Sequence, residues 1–272
     1  MISRREMLRL TGGVLLLSGC RSHRARVLRV GSQSSAESAL IAEIYAVALE
    51  RAKIPVQRHM NLGDAAAIDA AIGRGDIDLF PEYMRSEANT PAGHAVLRLQ
   101  PSPLDSAPCV VTTESVAEQY WLLDLSTCSR IARTLKFAAT EEFLAASGPL
   151  RRLQRVYGGF KFGSVVTVDA ADRYDALKRG DVEVASGFTT DAQIHEGQLV
   201  VLRDDKRALP RYTYAPAIRH AAAVAYPAAV TVLNRVSRSI TTFAVQQINA
   251  HVDLLHIDPS DAAEEFLNRT TS

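Results

Sequence analysis

From residue 27 onward, short apolar runs alternate with stretches in which apolar residues recur every three or four positions. Val27-Leu-Arg-Val30 has the length of a strand and closes on Gly31. Behind it, Ser34 and Ser35 offer N-caps, and Glu37 and Ser38 fall in the first turn. Leu40, Ile41, Ile44, Tyr45, Val47, Ala48 and Leu49 then keep helical spacing. Residues 55–60 read as a second strand, and Asp64 caps a second helix whose apolar stripe is Ile68, Ala71 and Ile72. The alternation predicts an α/β fold with parallel strands.

The pattern also repeats. Residues 69–83 align with residues 175–188 once one position is gapped. In each segment a helix ends on glycine, Gly75 or Gly180, which adopts a left-handed C-cap at little cost. A strand with alternating apolar residues follows, Ile77 and Leu79 in one and Val182 and Val184 in the other. Tyr83 and Phe188 each stand eight residues after their glycine. Ligands of α/β sheets bind beyond the carboxyl ends of the strands. The echo therefore predicts two similar lobes, each with a ring at a ligand-binding edge. Chance recurrence of Gly-Asp before an apolar strand is the alternative.

Composition narrows the function. The 272 residues carry 31 Lys+Arg against 30 Asp+Glu, a net charge of +1, which lacks the basic excess of a nucleic-acid binder. Three cysteines without a CxxC pair provide neither a disulfide framework nor a zinc site. No GxSxG, HExxH, Walker A or GxGxxG pattern occurs, and the histidines lack ligand spacing. Glu141 and Glu142 are adjacent, so a helix would point them to different faces. These absences argue against an enzyme and against a bound cofactor or metal.

The first residues read as an address. Arg4, Arg5 and Arg9 form a basic region, and residues 10–17 are apolar but too short for the roughly 20-residue span of a membrane helix. Leu17-Ser18-Gly19-Cys20 resembles the lipobox of bacterial lipoproteins, in which the cysteine sulfur is lipidated. Residues 1–19 are then a signal peptide, and residues 20–26 a lipidated cysteine with its tether. The paired arginines fit either twin-arginine or general export. Cys109 and Cys128 could pair in an exported compartment or stay as separately buried thiols.

Several segments, in order along the chain, carry a resemblance to a known family. They are Val30-Gly31-Ser32 with Ile41-Ala-Glu-Ile-Tyr45, Gly75-Asp-Ile-Asp-Leu-Phe-Pro-Glu-Tyr83 and Glu141-Glu-Phe143. Tyr157-Gly158, Phe188-Thr-Thr-Asp191, residues 199–206 and Pro210-Arg-Tyr-Thr-Tyr-Ala-Pro216 complete the set. The chain resembles the extracytoplasmic solute-binding proteins of bacterial ABC importers for glycine betaine, choline and related osmoprotectants. The resemblance implies a two-lobed periplasmic-binding-protein-like fold with two crossover connections and a ligand cleft between the lobes. Lobe 1 would comprise residues 27–107 plus 212–272, and lobe 2 residues 108–211.

The implied ligand is a small quaternary ammonium solute such as glycine betaine, choline or carnitine. Such a cation has no N–H to donate, so ring faces surround it, each worth about 0.5–2 kcal/mol. The positions that match the family pattern are Tyr83, Phe188 and Tyr212, with Gln33, Arg85 and Ser86 beside them; Tyr214 is close by without a family match. The implied partners are an ABC permease with its ATPase, and a membrane surface reached through the lipid anchor, facing the periplasm or the cell exterior. Departures stand out. The family's Pro-Glu-Tyr-Thr-Gly-Thr is here Pro81-Glu-Tyr-Met-Arg-Ser86, Gln33 replaces a lysine, and Pro108 replaces an aromatic. An arginine is lost near Ala146, and Phe188 replaces a tyrosine. Fewer cations remain for a betaine carboxylate, and Arg85 or Arg211 would have to serve as the clamp. A lipoprotein of the same fold turned to sensing or interaction, or one that takes another small cation, is the alternative.

Overall fold

The computed structural model describes residues 27–85, 96–196 and 199–270. The leader, the lipidation candidate Cys20 and Ser86 lie outside these. The first stretch of chain forms β1 (Leu28–Gly31), α1 (Ala36–Arg51), β2 (Val56–His59), α2 (Ala65–Arg74), β3 (Leu79–Arg85) and β4 (Val96–Arg98). The middle forms β5 (Pro108–Thr113), α3 (Glu114–Tyr120), α4 (Leu125–Ile131), β6 (Lys136–Ala139), α5 (Glu141–Leu144) and α6 (Pro149–Tyr157). It continues with β7 (Ser164–Thr167), α7 (Arg173–Lys178), β8 (Val184–Phe188), α8 (Ala192–His195) and β9 (Leu199–Val201). The return is β10 (Tyr212–Arg219), α9 (His220–Ala225), α10 (Pro227–Ser237), α11 (Thr242–Asn249), a π turn (Ala250–Leu254) and α12 (Pro259–Thr270).

Two five-stranded sheets result, in the orders β2-β1-β3-β10-β4 and β7-β6-β8-β5-β9. The orders correspond strand for strand, with β3 and β8 at equivalent places, so the echo between residues 69–83 and 175–188 is architectural. The sheets are mixed rather than wholly parallel. β10 runs antiparallel to β3 and β4, and β5 antiparallel to β8 and β9. The reason is topological, because β5 and β10 follow the crossovers between sheets and enter from the opposite end.

Local chemistry explains the elements. Ser35 caps α1 by accepting from the Ser38 amide, and Asp64 caps α2 by accepting from that of Ala67. Gly75 ends α2 with φ 76°, where a side chain would be strained. Helix α1 is buried on nearly every side because it lies between the first sheet and α10 and α12. Ile41, Ile44, Tyr45 and Leu49 are wholly enclosed there, and cutting one such aliphatic side chain back to alanine costs about 2–5 kcal/mol.

Cys109 and Cys128 are free buried thiols belonging to different core clusters of the second sheet. Burial pushes the Cys128 thiol up to about 12 and raises that of Cys109 as well. No helix among the described residues is long and apolar enough to cross a membrane.

The two connections between the sheets pair with each other. Ser106 and Tyr212 exchange backbone hydrogen bonds of 2.9 Å in both directions. The Ser102 and Thr213 hydroxyls lie 2.9 Å apart, and that of Thr213 also donates to the Ser102 carbonyl at 2.8 Å. Helix α11 adds a second seam. Gln246 and Asn249 donate to the carbonyls of Thr189 and Thr190 at 2.6 and 2.8 Å.

Candidate cation-binding cleft

The site forms where β1 and β3 end and the Phe188–Asp191 turn of the second sheet faces them. On the first sheet, antiparallel register sets Tyr83 opposite Tyr214 and Arg85 opposite Tyr212. Directly opposed and alternate residues share one face, so three tyrosines converge. The Tyr83 ring stacks on Tyr212 at 4.7 Å between centroids and 13° between planes, and meets Tyr214 at 4.9 Å and 44°. Tyr214 is buried, whereas Tyr83 and Tyr212 are half-buried and keep accessible surface. Burial, reinforced by the nearby Glu37 carboxyl, pushes the Tyr83 phenol up to about 12. The same causes raise Tyr214. Both phenols are neutral at ordinary pH.

Glu37, in the first turn of α1, completes this side. Its carboxyl interacts with the hydroxyls of Thr190, Ser106 and Tyr214, which come from the second sheet's turn, a crossover and β10. Burial is the largest influence on it and raises its pKa; Asp191 raises it further, and the three hydroxyls pull the other way. Among the described residues no lysine or arginine forms an ion pair with it. Gln33 is half-buried at the start of the same turn, its backbone N–H held by the Ser38 hydroxyl at 3.1 Å.

Across the seam, the Phe188-Thr-Thr-Asp191 segment divides its work. Thr189 bonds to the crossover, donating to the Asp105 carbonyl at 2.6 Å and accepting from the Ala107 amide at 3.0 Å. Thr190 is buried and faces Glu37. One oxygen of Asp191 accepts from Arg173 and the Tyr174 hydroxyl at 2.5 Å each, and from the Phe188 amide at 2.8 Å. Arg173 is thereby neutralised in place. Phe188 is half-buried opposite Pro108, and among the described residues no ring contact joins it to the tyrosines.

The structure thus brings Tyr83 and Tyr212 together and leaves Phe188 outside their contact. Arg85 is exposed at the end of β3 with no ion pair among the described residues. Arg211 is not available as a clamp. Its Nε donates to both oxygens of Asp105 at 2.9 Å and its Nη2 bonds to the same carboxylate, fastening one crossover to the other. A cavity of ≈ 230 Å³ is lined by Asp105, Ala107, Pro108, Thr189, Leu209 and Arg211 among others, and none of the three tyrosines borders it.

Sequence reasoning missed Glu37, Ser106 and Tyr214 as site residues. A glutamate in a first helical turn reads as a partner of the helix dipole, which hid its second role. Tyr214, two places beyond Tyr212 on a strand, had to share its face, and that spacing was the available signal.

The comparisons with known proteins agree with this architecture. The substrate-binding domain of ABC-type glycine betaine transport systems matches residues 26–269. The glycine betaine-binding protein YehZ of Escherichia coli K12 is 26% identical over 90% of this chain and 91% of its own. The carnitine transport binding protein OpuCC of Listeria monocytogenes is 23% identical over 89% of this chain and 86% of its own. A Helicobacter pylori protein named as ergothioneine transport permease and binding protein, EgtU, is 26% identical over 89% of this chain, which spans only 47% of that longer protein. Among solved structures, apo YehZ superposes with a TM-score of 0.76 at 25% identity, covering 90% of this chain and 99% of its own. A structure titled glycine betaine/carnitine/choline ABC transporter reaches 0.81 at 22% identity, covering 89% and 98%. The chain therefore belongs to the substrate-binding domain family of ABC-type glycine betaine transport systems, whose members are solute-binding proteins and not enzymes.

Proposed function

We propose that this protein is the solute receptor of an ABC importer and holds a quaternary ammonium compound between two lobes, residues 27–107 plus 212–272 and residues 108–211. The observation that carries this reading is the cluster of Tyr83, Tyr212 and Tyr214 beside Glu37 at the seam between the sheets. Ring faces attract a cation that cannot donate a hydrogen bond, at about 0.5–2 kcal/mol each and more when water is excluded. A carboxyl at their edge adds charge complementarity. Closing the lobes brings Thr190 and the Phe188 turn over the cation, so ligand shifts the population toward the closed state. Gln33 and Arg85 would border the cleft and meet the end of the ligand away from its ammonium, the hydroxyl of choline or the carboxylate of a betaine; Ser86 remains a candidate contact on the sequence pattern alone.

The receptor hands its ligand to a permease driven by an ATPase. It works outside the cytoplasm, exported by the leader and held to a membrane surface by lipid on Cys20. Calorimetric titration of residues 21–272 with choline, glycine betaine, carnitine and proline betaine tests the reading. Micromolar or tighter binding of any one supports it. Silence from folded protein overturns it in favour of a receptor fold put to sensing, or of another ligand class.

A further inference from the structure

We infer that β7, the outer edge of the second sheet, pairs antiparallel with β7 of a second copy of this chain. The inference is independent of the solute-receptor reading. Among the described strands β7 pairs with β6 alone and ends its sheet. All four of its residues are exposed. Val165 and Val166 point to opposite faces and keep 45% and 44% of their surface in water. The matching edge of the first sheet is built differently. On β2, Arg58 stands opposite Val30, and its guanidinium is tied to Glu43 and Glu50 at 2.8 and 2.6 Å. On β7, Val166 stands opposite Ala138 and takes the place of Arg58. A charge on an edge strand discourages pairing with another chain. β2 carries one, and β7 carries none.

Hydrogen bonding and charge select a second copy as the occupant. The Val168 amide donates to the Ala139 carbonyl at 3.0 Å, so alternation turns Ser164 and Val166 toward β6 as well. The N–H and C=O of Val165 and Thr167 then point away from the sheet. An antiparallel copy must set an outward residue against an outward one. Centring the two-fold axis on Val165 does so, with Val165 exchanging two hydrogen bonds with its own counterpart. The same register brings Lys161 of each copy to Asp169 of the other, whereas centring on Val166 would set Asp169 against Gly163. Lys161 and Asp169 are exposed and form no ion pair among the described residues. The surroundings keep the same polarity. Lys136 opposes Ser164 at the start of β7, and the Arg133 carbonyl packs on Gly163 there. Glu183, further into the sheet, accepts from the Lys136 amide at 2.6 Å. Beyond the other end lies Asp172, and Arg173 is committed to Asp191. One end of the strand is therefore basic and the other acidic, as a two-fold antiparallel pair requires.

One short strand from each copy makes a small contact, so the dimer is weak and its share rises with concentration. The test is sedimentation velocity on residues 21–272 from about 5 µM to about 500 µM. The expected result is a weight-average mass that climbs from monomer toward dimer. Val165→Lys sets like charges face to face at the two-fold axis, on a side chain the monomer leaves in water, and weakens the dimer about tenfold or more. Lys161→Asp and Asp169→Lys each occur twice across the axis and each weaken it about 3- to 10-fold, and the two together restore it. A mass that stays monomeric throughout overturns the inference, and so does growth beyond a dimer. A dimer indifferent to Val165→Lys places the contact on another surface, and one that the double reversal fails to restore refutes the two-fold register. Far-ultraviolet circular dichroism checks that each variant folds. Should Val165→Lys not fold, the charge reversals, which lie outside the strand, decide.

Discussion

Tyr83→Ala is the most direct perturbation of the cleft. The ring lies against Tyr212 at 4.7 Å and Tyr214 at 4.9 Å, so in the proposed reading alanine removes one cation-facing surface and the neighbour that holds two others in place. The lost cation–π attraction is about 0.5–2 kcal/mol, and the half-buried ring belongs toward the upper part of that range. An affinity loss of about 1–2 kcal/mol follows, roughly 5- to 30-fold. The two ring pairs contribute about 0.5–1.5 kcal/mol each to folding, so the thermal midpoint falls by several degrees, but the protein remains folded. Tyr83→Phe separates ring from hydroxyl. The phenol is neutral, held near 12 by burial, so its loss leaves affinity within about threefold. Choline titration by calorimetry, beside scanning calorimetry of each variant, gives both numbers. Unchanged affinity in Tyr83→Ala would place the cation elsewhere, and equal damage from both variants would assign the effect to the hydroxyl.

Two further substitutions probe the frame around the site. Asp191→Ala strips the partner from Arg173, whose side chain is only 8% exposed, and an uncompensated buried charge costs about 3–5 kcal/mol; chemical denaturation should show that loss. Asp124 caps α4 by accepting from the amide and hydroxyl of Thr127 at 2.8 Å each, bonds that hold its carboxyl below the usual range. A depressed folded pKa stabilises above the unfolded value near 4 and is lost as pH falls through the folded one. Asp124→Asn should therefore keep the cap but flatten the acid limb of the stability–pH curve, read as the thermal midpoint from pH 2 to pH 6.

The fold was legible because its signals are local. Ser35 and Asp64 cap the helices they were expected to cap, and Gly75 and Gly180 take the left-handed conformation that their places at helix ends require. The antiparallel entry of β5 and β10 was not legible, because it depends on which sheet a strand joins and not on its own residues. The candidate site's geometry was half legible. Tyr83 and Tyr212 declared themselves as rings in matched segments, but no periodicity reveals that register places Tyr214 opposite Tyr83. Arg211 had the right charge for a clamp, and only the pairing of the crossovers shows that Asp105 already occupies it. Glu37 was hidden because its partners, Ser106, Thr190 and Tyr214, are scattered over the rest of the chain and meet only after both sheets have formed.

The two sheets follow one plan but do not share the recognition equally. At the equivalent ends of β3 and β8, Tyr83 meets two more tyrosines across β10, whereas Phe188 meets Pro108 across β5. In the proposed reading, the first lobe therefore carries an assembled surface for the cation before closure. The second adds the Thr190 hydroxyl and the exclusion of water. In that reading two residues would make closure and binding one event. Tyr212 is a ring of the cluster and also half of the backbone bridge between the crossovers; Ser106 is the other half and also meets Glu37. If the cation binds as proposed, rotation of the lobes about that bridge cannot leave its surroundings unchanged, because the bridge is part of them. A ligand that needs both residues in their closed positions must then favour the closed state by the difference in its contacts, and by no more than that.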